Sequence, residues 1–187
     1  MRFIDSRVRA VILGAGTSSR VGRQKLLIDF RGRPMIEHAI AAARAWAPVV
    51  VAGSEVTEYL AGRTGLTVLR NDEPGLGMSH SLKLANHFVE GAAALIVLLG
   101  DKPLVSAALI ERVCNAAGDA DIVYPAHGAQ PGHPVFLSLR ARERIVDLPN
   151  GDTLRMLRDD ERLRVHAVET EDEGAFFDVD TIAALRG

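Results

Sequence analysis

The chain has little cysteine, no excess of charge of either sign and no apolar run of membrane-spanning length. Its one cysteine, Cys114, lies in "LIERVCNAAG" on the apolar side of a predicted helix, which favours a buried structural thiol over a nucleophile. The formal net charge is −2, so composition indicates neither nucleic acid nor an anionic membrane surface as the main partner. The opening "MRFIDSRVRA" lacks the apolar core of a signal peptide. We therefore expect a cytoplasmic protein acting on small molecules.

Short β-rich apolar runs alternate with helix-like patterns along most of the chain. The strand-like runs span 8–14, 48–53, 66–71, 93–101 and 121–126, and the helix-like segments span 34–45, 57–63, 77–91 and 106–117. Ser106 is placed to cap the last of these helices. Continuous Val, Ile and Leu runs joined by helices predict an α/β fold of three layers, with a doubly wound and mostly parallel sheet.

From about residue 127 the rhythm changes, although no linker, repeat or low-complexity segment divides the chain. A Gly/Pro-rich turn, "HGAQPGHP", feeds a strand-like 135–139, and helix-like segments follow at 139–148 and 153–160. The stretches 163–170 and 175–181 are predicted as later strands. With 48% hydrophobic residues, the chain suffices for one core, so we predict a single domain over 1–187 with an antiparallel C-terminal elaboration.

The loop after the first strand has the composition of an anion-binding site. In "VILGAGTSSRVGRQKLL", Gly14 and Gly16 allow a sharp turn and a close approach of the backbone to a ligand. Hydroxyl donors follow, and Arg20 and Lys25 add the positive charge that suits a triphosphate. The alternative is a glycine-rich turn with solvated basic residues. Ligands of such sheets bind beyond the carboxyl ends of the strands, which is where this loop falls.

Two common phosphate-binding motifs do not fit this loop. A dinucleotide fingerprint needs a third glycine where Ser19 stands, and an acidic residue at the end of a second strand. A P-loop needs Gly-Lys followed by Ser or Thr, whereas Lys25 stands between Gln24 and Leu26. The loop is therefore of another kind.

The same loop resembles the signature of the molybdopterin nucleotidyltransferase-like proteins, especially the molybdenum cofactor cytidylyltransferases. Further on, "GLGMSHSLKLA", "VLLGDKPLV", "GHPVF", "NGDTLRMLR" and "FDVDT" are similar to later family segments in the same order, so the resemblance covers nearly the whole chain. It implies the Rossmann-like fold of nucleotide-diphospho-sugar transferases. The departures include Gly14 in place of alanine and Lys102 in place of glutamine.

The resemblance implies nucleotidyl transfer, in which an acceptor phosphate attacks a nucleoside triphosphate and pyrophosphate leaves. Such a protein mainly positions its substrates and neutralises charge. The implied catalytic residues are Arg20, Lys25 and Asp101. Asp101, at the end of a very apolar strand, is the natural Mg²⁺ ligand, with Asp180 as the second candidate and Asp178 as a further open partner. Asp101 could instead cap a turn, and either of the later acids could cap the helix of "TIAAL".

The remaining candidates divide between nucleotide and acceptor. Nucleotide contacts are assigned to the segment that opens the helix at 77–91 and to the first loop, namely Gly77, Ser79, Ser81, Leu13, Gly14, Ala15, Gly16, Thr17, Ser18, Ser19, Arg20 and Lys25. Acceptor contacts are assigned to His133 and Asp152. For Ser79, Ser81 and Asp152 a helix-capping role stays open, and for His133 a surface role.

The base and the acceptor rest on the resemblance alone. Ala15, before the second glycine of the signature, accompanies cytidine-type enzymes, so CTP is expected, with GTP as the alternative. Molybdopterin or its molybdenum-loaded form is the expected acceptor, with sugar or polyol phosphates and other small phosphorylated molecules left open. A different class is a non-catalytic carrier that hands the cofactor to a molybdoenzyme client.

Overall fold

The computed structural model describes residues 7–16, 24–151 and 154–177. Within these ranges the strands are β1 (Val8–Gly14), β2 (Asp29–Phe30), β3 (Arg33–Pro34), β4 (Val49–Ala52), β5 (Thr67–Arg70), β6 (Ala94–Leu99), β7 (Ile122–His127), β8 (Gln130–Pro131), β9 (Val135–Ser138) and β10 (Val165–Glu169). The helices are α1 (Met35–Ala43), α2 (Ser54–Leu60), α3 (Met78–Phe88), α4 (Ala107–Asn115), α5 (Leu139–Glu143) and α6 (Leu154–Arg158). Short 3-10 turns lie at Lys25–Leu27, Arg44–Trp46, Pro74–Leu76, Arg144–Asp147 and Glu173–Ala175.

The main sheet has the strand order β10-β7-β9-β6-β1-β4-β5, with β8 attached to β7. The strands β5, β4, β1 and β6 are mutually parallel, as predicted from their continuous apolar runs. β9 lies antiparallel between β6 and β7, whereas β10 is parallel to β7. The antiparallel part is thus mainly one inserted strand. Because the chain winds from β1 toward β5 and then returns to β6 on the other side of β1, the topological switch point lies between β1 and β6.

Helices cover both faces of the sheet, which confirms the three-layer architecture. Alternate residues of β1 bury on opposite sides: Ile12 packs with α1, α2 and α4, and Val11 packs with α3, α5 and α6. Trp46 is buried on the first of these faces, in the same apolar cluster as Val50 of β4. Burying a large aliphatic side chain contributes about 1.5–3 kcal/mol, so these two apolar layers supply most of the driving force for folding.

Several local features differ from the predictions made from the sequence. Residues Glu173–Ala175 form a 3-10 turn and Phe177 is outside any strand, so the described part of the predicted strand at 175–181 is not extended sheet. β2 and β3 form a hairpin whose turn residues, Arg31 and Gly32, both have positive φ (52° and 87°), the type I′ geometry. The predicted cap is confirmed, since the Ser106 hydroxyl accepts from the Leu109 amide at 3.1 Å.

Arg142 fixes the carboxyl end of α3 from the neighbouring α5. Its guanidinium, only 3% exposed, donates to the Asn86 side-chain carbonyl at 2.9 Å, to the Val89 carbonyl at 3.0 Å and to the Ala92 carbonyl. Burial lowers the pKa of Arg142. A cation is favourable where a helix presents its last carbonyls. None of the described helices is both long and apolar enough to cross a membrane.

Candidate functional site

The candidate site lies where β1 and β6 end side by side. Leu13, the residue before the end of β1, pairs with Leu99 at the end of β6, and the Gly100 amide donates to the Leu13 carbonyl at 2.9 Å. Both strands then end: β1 continues into Ala15 and Gly16, and β6 continues through Gly100 to Asp101. Of the first-loop candidates described, Leu13 and Ala15 are buried and Gly16 is exposed.

Lys25 and Asp101 form an ion pair across this edge. The Lys25 ammonium donates to Asp101 Oδ2 at 3.2 Å, although the two residues are 76 positions apart. Their side chains are 16% and 31% exposed, so the pair is open to solvent on one side. Asp101 accepts no hydrogen bond from the amides of its own turn within the described chain, which disfavours the turn-capping alternative.

An apolar contact beneath the pair sets the position of Lys25. A Cβ atom on Gly14 would lie 3.0 Å from Leu26 Cδ1, and one on Gly100 would lie 2.8 Å from Ile36 Cδ1 and 3.3 Å from Leu26 Cδ1. The two glycines therefore leave room for the methyl groups of Leu26 and Ile36. Gly14, which departs from the family signature, faces this apolar contact.

The first turn of α3 lies at the same edge of the sheet, because α3 connects the carboxyl end of β5 to the start of the parallel strand β6. Its N-cap is Gly77, with φ +83° and ψ −173°, so neither Ser79 nor Ser81 caps the helix. Ser81 Oγ instead accepts from the Asn71 amide at 2.9 Å, while Asn71 Oδ1 accepts from the Glu73 backbone amide at 2.8 Å. Asn71 was not among the sequence candidates; its position directly after β5 was the available signal.

Ser79 carries a buried hydroxyl for which the described residues supply no partner. The residue is 1% exposed, and its Oγ makes no hydrogen bond in the described chain. An unsatisfied buried hydroxyl costs about 1–3 kcal/mol unless it meets a ligand or water. Beside a helix N-terminus, where amides and the helix dipole favour negative charge, such a donor suits a phosphate or carbonyl oxygen of a ligand.

Lys102, the second departure from the family pattern, ties the end of the described chain to the site. Its side chain is buried, and its ammonium donates to the carbonyls of Phe176 at 3.4 Å and Phe177 at 3.3 Å. Close packing supports this path, because a Cβ on Gly174 would meet the Leu104 carbonyl. The segment 174–177 thus runs against the loop that carries Asp101.

His133 lies on the other side of the same segment. Its backbone amide donates to the Ala175 carbonyl at 3.0 Å, and the residue is half-buried at the start of β9. Since β9 is antiparallel to β6, its beginning lies at the same sheet edge as Asp101. The structure therefore brings His133 and Asp101 to one edge.

The other predicted site residues lie outside the described ranges: Thr17, Ser18, Ser19, Arg20, Asp152, Asp178 and Asp180. The described residues contain no group of three or more acidic, histidine or cysteine side chains placed to hold a metal ion. Asp101 is therefore the acid that the described site offers. Cys114 takes no part, because burial raises its pKa to about 12 and keeps the thiol protonated.

The fold is a Rossmann-like α/β fold whose topological switch point lies between β1 and β6, where folds of this kind bind their ligands. The family model for the MobA-like NTP transferase domain matches residues 10–167. The chain belongs to this family, and it is a nucleotidyltransferase.

Curated relatives differ in how much of their length the chain covers. The molybdenum cofactor cytidylyltransferase of Escherichia coli is 25% identical over 183 residues, which are 94% of this chain and 92% of that protein. The bifunctional protein GlmU of Acidiphilium cryptum is 36% identical over 131 residues, which are 67% of this chain but 29% of that protein. The match to GlmU is therefore to one part of a much longer chain.

Solved structures support the fold. A Mycobacterium sp. strain JC1 homologue of the Mycobacterium tuberculosis protein Rv0371c gives a TM-score of 0.82 at 25% identity, covering 97% of this chain and 94% of that one. Rv0371c itself, solved in complex with manganese, gives a TM-score of 0.74 at 21% identity over 87% of this chain and 88% of that chain. The second likeness shows the shared fold alone.

Proposed function

We propose that this nucleotidyltransferase moves CMP from CTP to a phosphate of molybdopterin or the molybdenum cofactor, with Mg²⁺ as the metal. The observation that carries the proposal is the Lys25–Asp101 pair at the switch point, 3.2 Å between Nζ and Oδ2. A cation for a triphosphate and an acid for a divalent metal stand there side by side. Ala15 and the 25% identical Escherichia coli relative support the choice of CTP and of the acceptor.

The reaction needs no protein base, because the acceptor phosphate is already anionic. One of its oxygens attacks the α-phosphorus of CTP, forming the new P–O bond, while the bond from that phosphorus to the α–β bridging oxygen breaks. The electron pair leaves with pyrophosphate. Lys25 binds the triphosphate and the departing pyrophosphate, a task that it shares with Arg20 in the predicted site. Stabilising developing charge in this way accounts for a factor of about a hundred or more per contact.

Asp101 fits a metal ligand by its chemistry and its exposure. Its carboxylate is 31% exposed at the open end of β6, and a carboxylate together with phosphate oxygens is the ligand set that Mg²⁺ prefers. When bound, the ion neutralises charge on the phosphate oxygens during transfer. Asp180 is the second ligand of the proposal. In the structure Lys25 holds the Asp101 carboxylate in place as its counter-ion.

The α3 terminus and His133 complete the proposed site. The buried Ser79 hydroxyl and the amides of the first turn of α3 are the proposed nucleotide contacts, together with Gly77 and Ser81. His133, at the start of β9, is the proposed acceptor contact, with Asp152 as its predicted companion. Nucleotide and acceptor then approach the Lys25–Asp101 pair from opposite sides.

The test is to incubate the purified protein with CTP, GTP, ATP or UTP in turn, with Mg²⁺ and molybdopterin, and to measure pyrophosphate and nucleotide-linked product. We expect turnover with CTP. Turnover with GTP, or with a sugar or polyol phosphate in place of molybdopterin, would reassign the substrate. Binding of molybdopterin without turnover on any nucleotide would favour a carrier.

A matched pair of variants tests the metal assignment. Asp101→Asn is expected to lower turnover at least about a hundredfold and to weaken Mn²⁺ binding, with little change in thermal unfolding. Asp119→Asn removes another carboxylate that is paired with an arginine, Arg164, but is 89% exposed. It should leave turnover unchanged. Equal turnover in the two variants would contradict the role of Asp101.

A further inference from the structure

Arg158, at the end of α6, is an unusual arginine in this chain. Its guanidinium carbon lies 4.9 Å from the centroid of the Tyr124 ring, and the residue is half-buried. It makes no hydrogen bond or ion pair with any described residue. The other described arginines that are buried or half-buried all have polar partners, namely Arg9, Arg63, Arg142 and Arg144.

Arg158 has no carboxylate partner among the described residues, although two acids lie next to it in the chain. Asp159 and Asp160 follow Arg158 directly in the chain. Asp159 pairs with Arg155 at 3.4 Å, and Asp160 pairs with Arg162 at 2.7 Å. Hydrogen bonds from the side chain and backbone of Arg162, with the nearby charge of Arg144, hold the pKa of Asp160 well below its ordinary range. The acids are thus committed to other arginines, and the charge of Arg158 stays uncompensated by direct contact within the described chain.

Tyr124 places this guanidinium near the proposed acceptor end of the site. Val123 of β7 pairs with Phe136 of β9, so Tyr124 stands opposite Val135, two residues from His133. At about 3.4 Å per residue, that separation is about 7 Å along the strand. Tyr124 and Val135 also belong to the same apolar layer, on the α3 side of the sheet.

Gly151, shortly before α6 in the chain, lies against the segment that begins α3, which carries the proposed nucleotide contacts. The Gly151 amide donates to the Leu76 carbonyl at 2.8 Å, immediately before the α3 N-cap. The helix α6 itself, Leu154–Arg158, covers four residue steps, about 6 Å at a helical rise of 1.5 Å per residue. Gly151, next to the α3 N-cap, and Arg158, next to β7, are seven positions apart in the chain.

We propose that Arg158, stacked on Tyr124, binds an anionic phosphate group of the acceptor. A guanidinium stacked by its face leaves its N–H edge directed outward, and that edge matches two oxygens of a phosphate. The contact with the Tyr124 ring restricts the guanidinium before a ligand binds, so less side-chain freedom is lost on binding. This inference rests on the proposed function, because it assumes a phosphorylated acceptor.

Steady-state kinetics with saturating nucleotide tests the inference directly. Arg158→Gln should raise the acceptor KM about tenfold to a hundredfold with the nucleotide KM unchanged, and Arg158→Lys should recover part of the loss. Arg162→Gln, which removes a nearby exposed arginine paired with Asp160, should leave both KM values unchanged. An unchanged acceptor KM in Arg158→Gln would overturn the proposal.

A binding experiment separates this inference from the proposed function. Inorganic phosphate is titrated by calorimetry into protein saturated with Mg²⁺ and α,β-methylene-CTP, so that the triphosphate contacts are occupied. We expect millimolar binding in the wild type and in Arg162→Gln, and its loss in Arg158→Gln. No phosphate binding in the wild type, or equal binding in Arg158→Gln, would refute the anion site even if nucleotidyl transfer is observed. Loss of binding in Arg158→Gln would support it even if no acceptor turns over.

Discussion

The most exacting prediction concerns Gly77, where backbone geometry and close packing coincide. Its φ of +83° and ψ of −173° fall in a region that is essentially restricted to glycine, where another residue costs about 1–3 kcal/mol. A Cβ atom there would lie 2.6 Å from Gly151 Cα and 3.0 Å from Gly151 N. Because backbone cannot yield as a side chain does, Gly77→Ala must displace Gly151.

That displacement has a second consequence, since Gly151 donates the hydrogen bond to Leu76. Losing this bond adds about 0.5–1.5 kcal/mol, so we expect Gly77→Ala to lower the free energy of unfolding by about 2–4 kcal/mol. Domains of this size have a stability of about 5–15 kcal/mol, so the variant should stay folded and can be assayed. The nucleotide KM should rise as well, because Gly77 begins the helix that carries Ser79.

Urea unfolding and the nucleotide KM, measured side by side with Gly75→Ala, check this reasoning. Gly75 lies in the same segment, but a Cβ there would have no neighbour within 4 Å. Its replacement should change stability by less than about 1 kcal/mol. If Gly77→Ala unfolds at the same urea concentration as Gly75→Ala, the steric reasoning fails.

Two further predictions concern buried charged groups. Lys102→Met should speed amide hydrogen exchange across residues 172–177 about tenfold, because the two carbonyl contacts at Phe176 and Phe177 are lost. Lys83→Met, which removes a lysine–carbonyl contact to Leu148, should leave exchange across 172–177 unchanged. Equal exchange rates in the two variants would show that the Lys102 contacts do not hold this segment in place. Burial disfavours the charged form of Asp121, but hydrogen bonds from the Arg164 amide and the Ser138 hydroxyl, with two nearby arginines, keep its pKa below its ordinary value. The contribution of Asp121 to the free energy of unfolding is therefore present above the unfolded-state pKa of about 4 and is lost as the pH falls below that value. Asp121→Asn should lower the urea midpoint at pH 7 by more than it does at pH 3, and a constant difference would contradict this linkage.

The sequence predicted the parallel half of the sheet better than the later half. The runs in β4 and β6 are apolar at every position, and β1 is apolar from Ala10 to Leu13, which is the pattern of strands covered on both faces. β9 is apolar from Val135 to Leu137, but nothing in so short a run specifies that it inserts antiparallel between β6 and β7. That pairing depends on contacts distant in the chain.

The candidate site shows the same division between local and distant information. Strand ends and the glycine-rich loop predicted Lys25 and Asp101 as site residues at one edge of the sheet, and the structure places the two side chains 3.2 Å apart. Asn71, however, acts through a side-chain contact with Ser81. The Lys102 contacts depend on the path of 174–177, which the sequence pattern had predicted as strand. Such contacts follow from tertiary packing and leave no periodic signal.

The paired glycines at the ends of β1 and β6 connect the apolar core to the position of Lys25. Leu26 follows Lys25 in the chain, and its terminal methyl group packs in the space between Gly14 and Gly100. The position of the Lys25 ammonium therefore depends on packing in the buried apolar layer that contains Leu26. Exchanging one buried aliphatic residue for another in this layer would shift the Lys25 ammonium relative to Asp101, without replacing either charged residue.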